Sequence, residues 1–178
     1  MRWDIINSFI KKYRYVSYLE IGLQTGLCRD NVKATQKTTI DPDKNANSPT
    51  FLMTSKEFFS INQKKFDIIF IDGLHHSSQV YEDILESLNI LNLKGTILLH
   101  DMLPTSKEMQ QVPRISKVWT GDCYKAFIKL RIERTDLEMY TIDTDWGIGV
   151  IQRGIQAKLN IDSSDITYES FLLKKKNG

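Results

Sequence analysis

The spacing of apolar residues switches repeatedly between helical and strand-like along this chain. Ile5, Ile6, Phe9, Ile10 and Tyr13 recur at helical intervals and predict a first helix. Val16 to Ile21 reads as a short buried strand, and a brief helix is expected around Leu27 to Val32. "TTID", Thr38 to Asp41, reads as a second strand stopped by Pro42, and Phe51 to Met53 as a short third one. Thr54-Ser55-Lys56-Glu57 has the spacing of a capping box, so a helix carrying Phe58, Phe59 and Ile61 should begin there. "FDIIFID", Phe66 to Asp72, is a continuous apolar run of strand length, as expected of a central parallel strand buried on both faces.

Ser77 or Ser78 is then expected to cap a helix with Val80, Ile84, Leu88 and Leu91 on one face, ended by Asn92 to Gly95. "TILLHD", Thr96 to Asp101, reads as the next central strand. Met102 to Thr120, with Pro104 and Pro113, is irregular, and Asp122 to Arg131 is an amphipathic helix. "LEMYTIDTDWGIGVIQ" reads as a closing hairpin that turns near Asp145-Trp146-Gly147, and a last helix is expected near Tyr168 to Lys174. Strands alternating with helices predict an α/β fold with a parallel sheet covered on both faces. The expected organisation is one domain: an N-terminal helix (1–15), a core (16–152) and a C-terminal tail (153–178).

Composition narrows this picture. The chain has 178 residues, 41% of them hydrophobic, enough for one domain with its own core. The net charge is +2, with basic and acidic residues interspersed, so the concentrated basic face that nucleic acid demands is not expected. The run Lys174-Lys175-Lys176 reads as a solvated tail. Cys28 and Cys123 lie far apart and imply neither a metal site nor a disulfide framework. No apolar run has the length of a signal peptide or a membrane span, which makes a cytoplasmic protein the default.

In open α/β sheets, ligands sit outside the carboxyl ends of the strands. Here those ends read Glu20-Ile21-Gly22, Asp41, Met53-Thr54-Ser55, Asp72-Gly73-Leu74-His75-His76 and His100-Asp101, so every histidine falls at one edge. Asp41 lies nineteen residues beyond Gly22, about where an acid can accept hydrogen bonds from ribose hydroxyls. Gly22 and Gly26 flank Leu23-Gln24-Thr25, so the middle glycine of a dinucleotide fingerprint is missing. Glu20 at the mouth of that turn would repel a phosphate and attract an ammonium group. A ligand with a ribose, an adenine, a cationic amine and no phosphates fits this edge, and S-adenosylmethionine is such a ligand.

"LEIGLQTG", "IDPD", "FDIIFIDGLHHSSQVYEDI", "LKGTILLHD" and "DTDWGIGVI" together resemble the class I S-adenosylmethionine-dependent methyltransferases. The pattern is most similar to the small-molecule and sugar O-methyltransferase branch, related to macrocin O-methyltransferase and the cephalosporin-hydroxylase-type proteins. It covers Tyr18 to Ile151. The resemblance implies a Rossmann-like three-layer sandwich with a seven-stranded, mostly parallel sheet whose last strand is antiparallel. It implies that Glu20, Gly22 and Gly26, with Gln24 in a position that is glycine in many relatives, meet the methionine end of the cofactor. Asp41 would meet its ribose, and Thr54, Ser55 and Asp72 would border the adenine and the reacting centre. The divalent-cation positions of metal-dependent relatives read Asp72 and His100-Asp101.

Methyl transfer to a hydroxyl needs a nucleophile, methyl and sulfur in line, and a destination for the proton. His75 is the expected base, since imidazole titrates near neutrality, and Asp72, His75 and Asp101 form the expected catalytic set. Asp72, His100 and Asp101 are the expected ligands of a cation, Mg²⁺ or Mn²⁺, with Zn²⁺ also chemically suited. The loop from Met102 to Trp119 reads as a lid whose Met109, Gln110, Gln111 and Arg114 contact the acceptor. Trp146 is placed to stack on a ring or plug the hairpin, and Trp3 and Trp119 to pack the core periphery. The expected partner is a small-molecule acceptor. A homodimer is left open. Two other readings stay open: a cofactor-binding accessory protein without catalysis, and a nicotinamide oxidoreductase, which the missing glycine disfavours.

Overall fold

The computed structural model describes residues 1–162 and 166–177; the side chains of Lys174, Lys175 and Lys176 lie outside the described residues. The elements are α1 (Arg2–Tyr13), β1 (Ser17–Ile21), α2 (Leu27–Asn31), β2 (Gln36–Ile40), α3 (Ser55–Ile61), β3 (Phe66–Ile71), α4 (Ser77–Ile90), β4 (Leu91–Leu99), α5 (Cys123–Glu133), β5 (Leu137–Ile142), β6 (Ile148–Arg153) and α6 (Tyr168–Asn177). Among the described residues they build one sheet in the order β2-β1-β3-β4-β6-β5. Strands β1 to β4 pair in parallel, and β6, the last in sequence, runs antiparallel between β4 and β5.

The two faces of this sheet bury separate apolar clusters. One holds Leu19, Ile69, Ile97 and Ile151 beneath Ile84, Leu88, Phe127 and Leu130 of α4 and α5. The other holds Tyr18, Ile68, Phe70, Leu98 and Val150 beneath Ile6, Phe9 and Ile10 of α1. Alternation along each strand therefore sends one residue to each helical layer, as a three-layer architecture requires. Among the described residues, no helix is long and apolar enough to cross a membrane.

The sheet has six strands and not the expected seven. Phe51, expected to start a third strand, makes a single parallel bridge to Ile40. Its amide donates to the Thr39 carbonyl and its carbonyl accepts from Asp41, but the Thr39 amide is taken by the Thr50 hydroxyl. Three residues later Thr54 caps α3, so there is no chain left to extend the ladder. The capping box itself is present, with Thr54 accepting from the Glu57 amide and Glu57 from the Thr54 amide.

Two expected boundaries also move. Neither Ser77 nor Ser78 caps α4; His76 holds the N-cap position and makes no side-chain cap. The donors at this end go instead to Asp122, 45 residues away, which accepts from the Ser77 amide at 2.7 Å and the Ser77 hydroxyl at 2.9 Å. Asn92 to Gly95 do not end the helix, since α4 runs straight into β4 at Leu91. Leu91 pairs with Phe66, and Thr96 then pairs with Ile68, so the intervening residues bulge from the strand. Asn92 in that bulge donates to Asp67 at 2.7 Å.

Because Asp122 supplies the cap that α4 lacks locally, Asp122→Ala should cost about 1–2 kcal/mol. Urea denaturation should show a lower midpoint at unchanged slope.

Candidate functional site

Sheet order reverses between β1 and β3, since β1 leads to β2 on one side and β3 lies on the other. A cleft of about 850 Å³ opens there, outside the carboxyl ends of the parallel strands. Its walls include Glu20, Gly22, Gln24, Asp41, Thr54, Ser55, Asp72, His75, His100 and Asp101, so the structure brings every sequence-predicted site residue but Gly26 to one cavity. Gly26 lies beside it as the left-handed N-cap of α2.

Gly22 explains why the cleft has room. Its φ is +90°, and a Cβ there would lie 2.1 Å from the Asp72 carbonyl oxygen. The turn after β1 therefore passes directly against the end of β3, which only glycine permits. The Gly22 amide donates to the Ile40 carbonyl at 2.9 Å, tying the same turn to β2.

The acids at the ends of β1 and β2 do unequal work. Glu20 is 1% exposed and accepts from the Tyr18 hydroxyl at 2.6 Å. Burial raises its carboxyl; the Tyr18 hydrogen bond offsets part of this and Asp72 adds to it, leaving a pKa of about 7. Asp41 accepts from the Leu23 and Gln24 amides, both at 2.9 Å, and from the Asp43 amide at 2.8 Å. It thus braces the first loop, while an ionised carboxylate still has acceptor capacity beyond three bonds. Thr54 is occupied by the capping box, whereas Ser55 accepts a long hydrogen bond from Gln79 at 3.4 Å.

At the other end of the cleft, charge is concentrated. Asp72 Oδ1 lies 3.4 Å from His75 Nε2 and 3.3 Å from His100 Nδ1. Asp101 Oδ2 lies 3.1 Å from His75 Nδ1, and its Oδ1 3.1 Å from His100 Nδ1. These approaches are within ion-pair distance but off the line of a hydrogen bond: His75 Nδ1 and both nitrogens of His100 are buried without a hydrogen-bond partner. Burial works against ionisation of Asp72, yet His100, His75 and Arg2 outweigh it and hold its carboxyl well below the usual range. Burial likewise disfavours the His100 imidazolium, but Asp72 and Asp101 prevail and push its pKa to about 10.

The unpartnered His75 Nδ1 beside Asp101 is a position that a divalent cation would satisfy. Among the described residues, Asp72, His75 and Asp101 form a set whose ligand atoms lie within 4.8 Å of one another. Two carboxylates with one imidazole suit Mn²⁺ or Zn²⁺ better than Mg²⁺, which prefers oxygen ligands. His75 thus joins the expected ligands Asp72 and Asp101, while His100, 5% exposed, presses on the same two acids from behind.

Three participants were not found by sequence reasoning. Arg2 places Nη1 2.5 Å from Asp72 Oδ2 and Nε 3.4 Å from Asp145 Oδ2. Asp145 is held in the left-handed hairpin turn with Trp146 and Gly147, and its Oδ1 lies 3.6 Å from His100 Nε2. Its motif was visible, but its role depends on β6 inserting beside β4. No local signal marks Arg2. Trp119, assigned to the core periphery, instead lines the cleft and stacks on His75 at 5.2 Å between ring centroids. Met109 and Gln110 are buried, and the Thr120 amide and hydroxyl both donate to the Met109 carbonyl; neither residue lines the cleft.

A raised carboxyl has a stability signature. Between about pH 4.5 and 7 the folded state binds the Glu20 proton and the unfolded chain does not, so burying Glu20 costs stability as pH rises through that window. Glu20→Gln should therefore raise stability at pH 8 by on the order of 2–3 kcal/mol and leave it nearly unchanged at pH 4.5. Thermal melts of both proteins at the two pH values measure this.

The site stands in a familiar setting. Residues 19–102 match the family described as a methyltransferase domain, from β1 to just beyond β4. No protein of curated function matches the chain in sequence. Among solved structures, the chain resembles the O-methyltransferase TomG of Streptomyces achromogenes, involved in tomaymycin synthesis and determined with S-adenosylmethionine, at a TM-score of 0.66 and 11% identity over 85% of this chain and 79% of that one. It resembles the Bacillus cereus O-methyltransferase, determined with S-adenosylhomocysteine, at 0.63 and 12% identity over 85% and 80%. It also resembles the Podospora anserina methyltransferase PaMTH1, likewise bound to S-adenosylhomocysteine, at 0.60 and 14% identity over 86% and 78%. The chain therefore has the Rossmann-like fold of the class I methyltransferases.

Proposed function

We propose that this protein is an S-adenosylmethionine-dependent methyltransferase that methylates a hydroxyl of a small acceptor: a sugar, a glycoconjugate or a natural product. Within the fold, the reading places it in the branch related to macrocin O-methyltransferase and the cephalosporin-hydroxylase-type proteins. One observation carries it. A single cleft joins the buried Glu20 carboxyl, whose ionisation an ammonium group would favour, to a converging Asp72, His75 and Asp101. The first feature suits an amino-acid nucleoside without phosphates. The second favours an enzyme over a cofactor-binding accessory protein, because an accessory protein has no need to gather imidazoles and carboxylates at the far end of the cofactor cleft.

In the reaction, an acceptor oxygen forms a bond to the methyl carbon as the carbon–sulfur bond breaks. The chain's part is to hold these atoms in line and take the proton. His75 stacks on Trp119 and has Asp101 at Nδ1, so its ring is fixed with Nε2 toward Asp72 and the cleft. Burial lowers the His75 pKa, but Asp72 and Asp101 reverse this and leave it raised, so the imidazole must shed its proton before it can accept another. Asp72, His75 and Asp101 would hold a divalent cation, which when bound would act as a Lewis acid on the acceptor hydroxyl. The two uses of His75 exclude each other. Activity that survives a chelator assigns His75 to the proton; activity lost in chelator and restored by Mg²⁺ or Mn²⁺ assigns it to the cation.

Calorimetry should show S-adenosylhomocysteine binding and no binding of NAD; the reverse would favour the oxidoreductase reading. With labelled S-adenosylmethionine and a host extract, mass spectrometry should reveal a methylated small molecule. His75→Ala should slow that transfer by about 100-fold or more while cofactor affinity holds, and full activity in this variant would remove His75 from the mechanism.

A further inference from the structure

The first turn of α1 reaches over the acid-rich end of the cleft, where Met1, Arg2 and Trp3 form part of the wall. Trp3 in this turn packs, partly buried, against the same apolar layer as the rest of the helix, and Arg2 adds a contact of a different kind. Ile6, Phe9 and Ile10 are buried in the apolar layer on that face of the sheet. Arg2 is fixed by charge: its amide donates to Asp145 Oδ2 at 2.7 Å, and its guanidinium spans Asp145 and Asp72. Its side chain is 25% exposed, so the contact is within reach of the cleft's contents.

Asp72 is divided between two claims. Oδ1 faces His75 and His100, and Oδ2 faces Arg2. A guanidinium stays protonated at every working pH, so it is a permanent positive charge against this carboxylate. It repels a second cation placed on the same acid and draws electron density from that acid's oxygens. Both effects have one sign.

This inference rests on the reading of Asp72, His75 and Asp101 as a cation-binding set. We propose that Arg2 competes with a divalent cation for Asp72, so that the Arg2 side chain governs whether that set is open to the cation. When the Arg2 latch is closed, the guanidinium neutralises Asp72; when it swings out, the carboxylate is free for the metal. The body of α1 is anchored separately, by Ile6, Phe9 and Ile10 in the apolar layer, with Trp3 packed against it.

The test is a titration of the full chain with Mn²⁺ alone, following free Mn²⁺ by electron paramagnetic resonance. Arg2→Gln should bind Mn²⁺ about tenfold tighter than the unaltered chain, or more. Arg2→Lys, which keeps the charge, should stay within about threefold of it. Asp72→Asn combined with Arg2→Gln should abolish the gain. The proposal is overturned if Arg2→Gln binds Mn²⁺ no tighter, if Arg2→Lys gains as much as Arg2→Gln, or if no variant binds Mn²⁺. S-adenosylhomocysteine affinity, measured on the same unaltered chain, reports on the cofactor reading separately, so the two can fail independently.

Discussion

The contact on which the site depends is the one between the turn after β1 and the end of β3. Gly22 lies so close to the Asp72 backbone that no side chain fits between them. That closeness comes from two neighbouring parallel strands ending at the same level, with Ile21 paired to Ile71. It fixes Asp72 relative to Glu20 and the first loop. A cofactor lying across the switch point would then find its amino-acid end near one acid and its reacting end near the other.

From this contact the chemistry follows by charge. Asp72, Asp101 and Asp145 come from three different strand ends or turns, and Arg2, His75 and His100 are drawn among them. Such a concentration of buried ionisable groups costs stability unless the groups compensate one another. Here compensation is incomplete, since three imidazole nitrogens are close to carboxylates yet lack aligned hydrogen bonds. Frustration of this kind is expected where function, and not stability, chose the residues. Glu20 shows the same trade at the other end of the cleft, as a carboxyl kept in apolar surroundings beside a tyrosine hydroxyl.

Much of this was legible in the sequence. "FDIIFID" has the length and continuous apolarity of a central strand, and the residues at the strand ends, Glu20, Asp41, Asp72, His75, His100 and Asp101, are those that line the cleft. The failures have physical causes. Phe51 to Met53 has strand-like composition, but a side-chain hydroxyl takes the next ladder donor and a helix cap follows at once. Ser77 looks like a cap, yet its donors turn to Asp122 across the fold. Arg2 and Trp119 are brought in by tertiary packing alone, because one rides on the first turn of a helix over the sheet and the other ends a long irregular loop. Local pattern names the strands and their ends, but it does not say which distant segments close over them.

The central claim is that the crevice between β1 and β3 receives an amino-acid nucleoside steered by carboxylates. A crystal structure with S-adenosylhomocysteine tests it most directly. The account predicts the amino group beside Glu20, the ribose against Asp41 and the sulfur directed toward Asp72 and His75. Density for the nucleoside elsewhere, or a crevice filled by the protein's own side chains at saturating ligand, would contradict it.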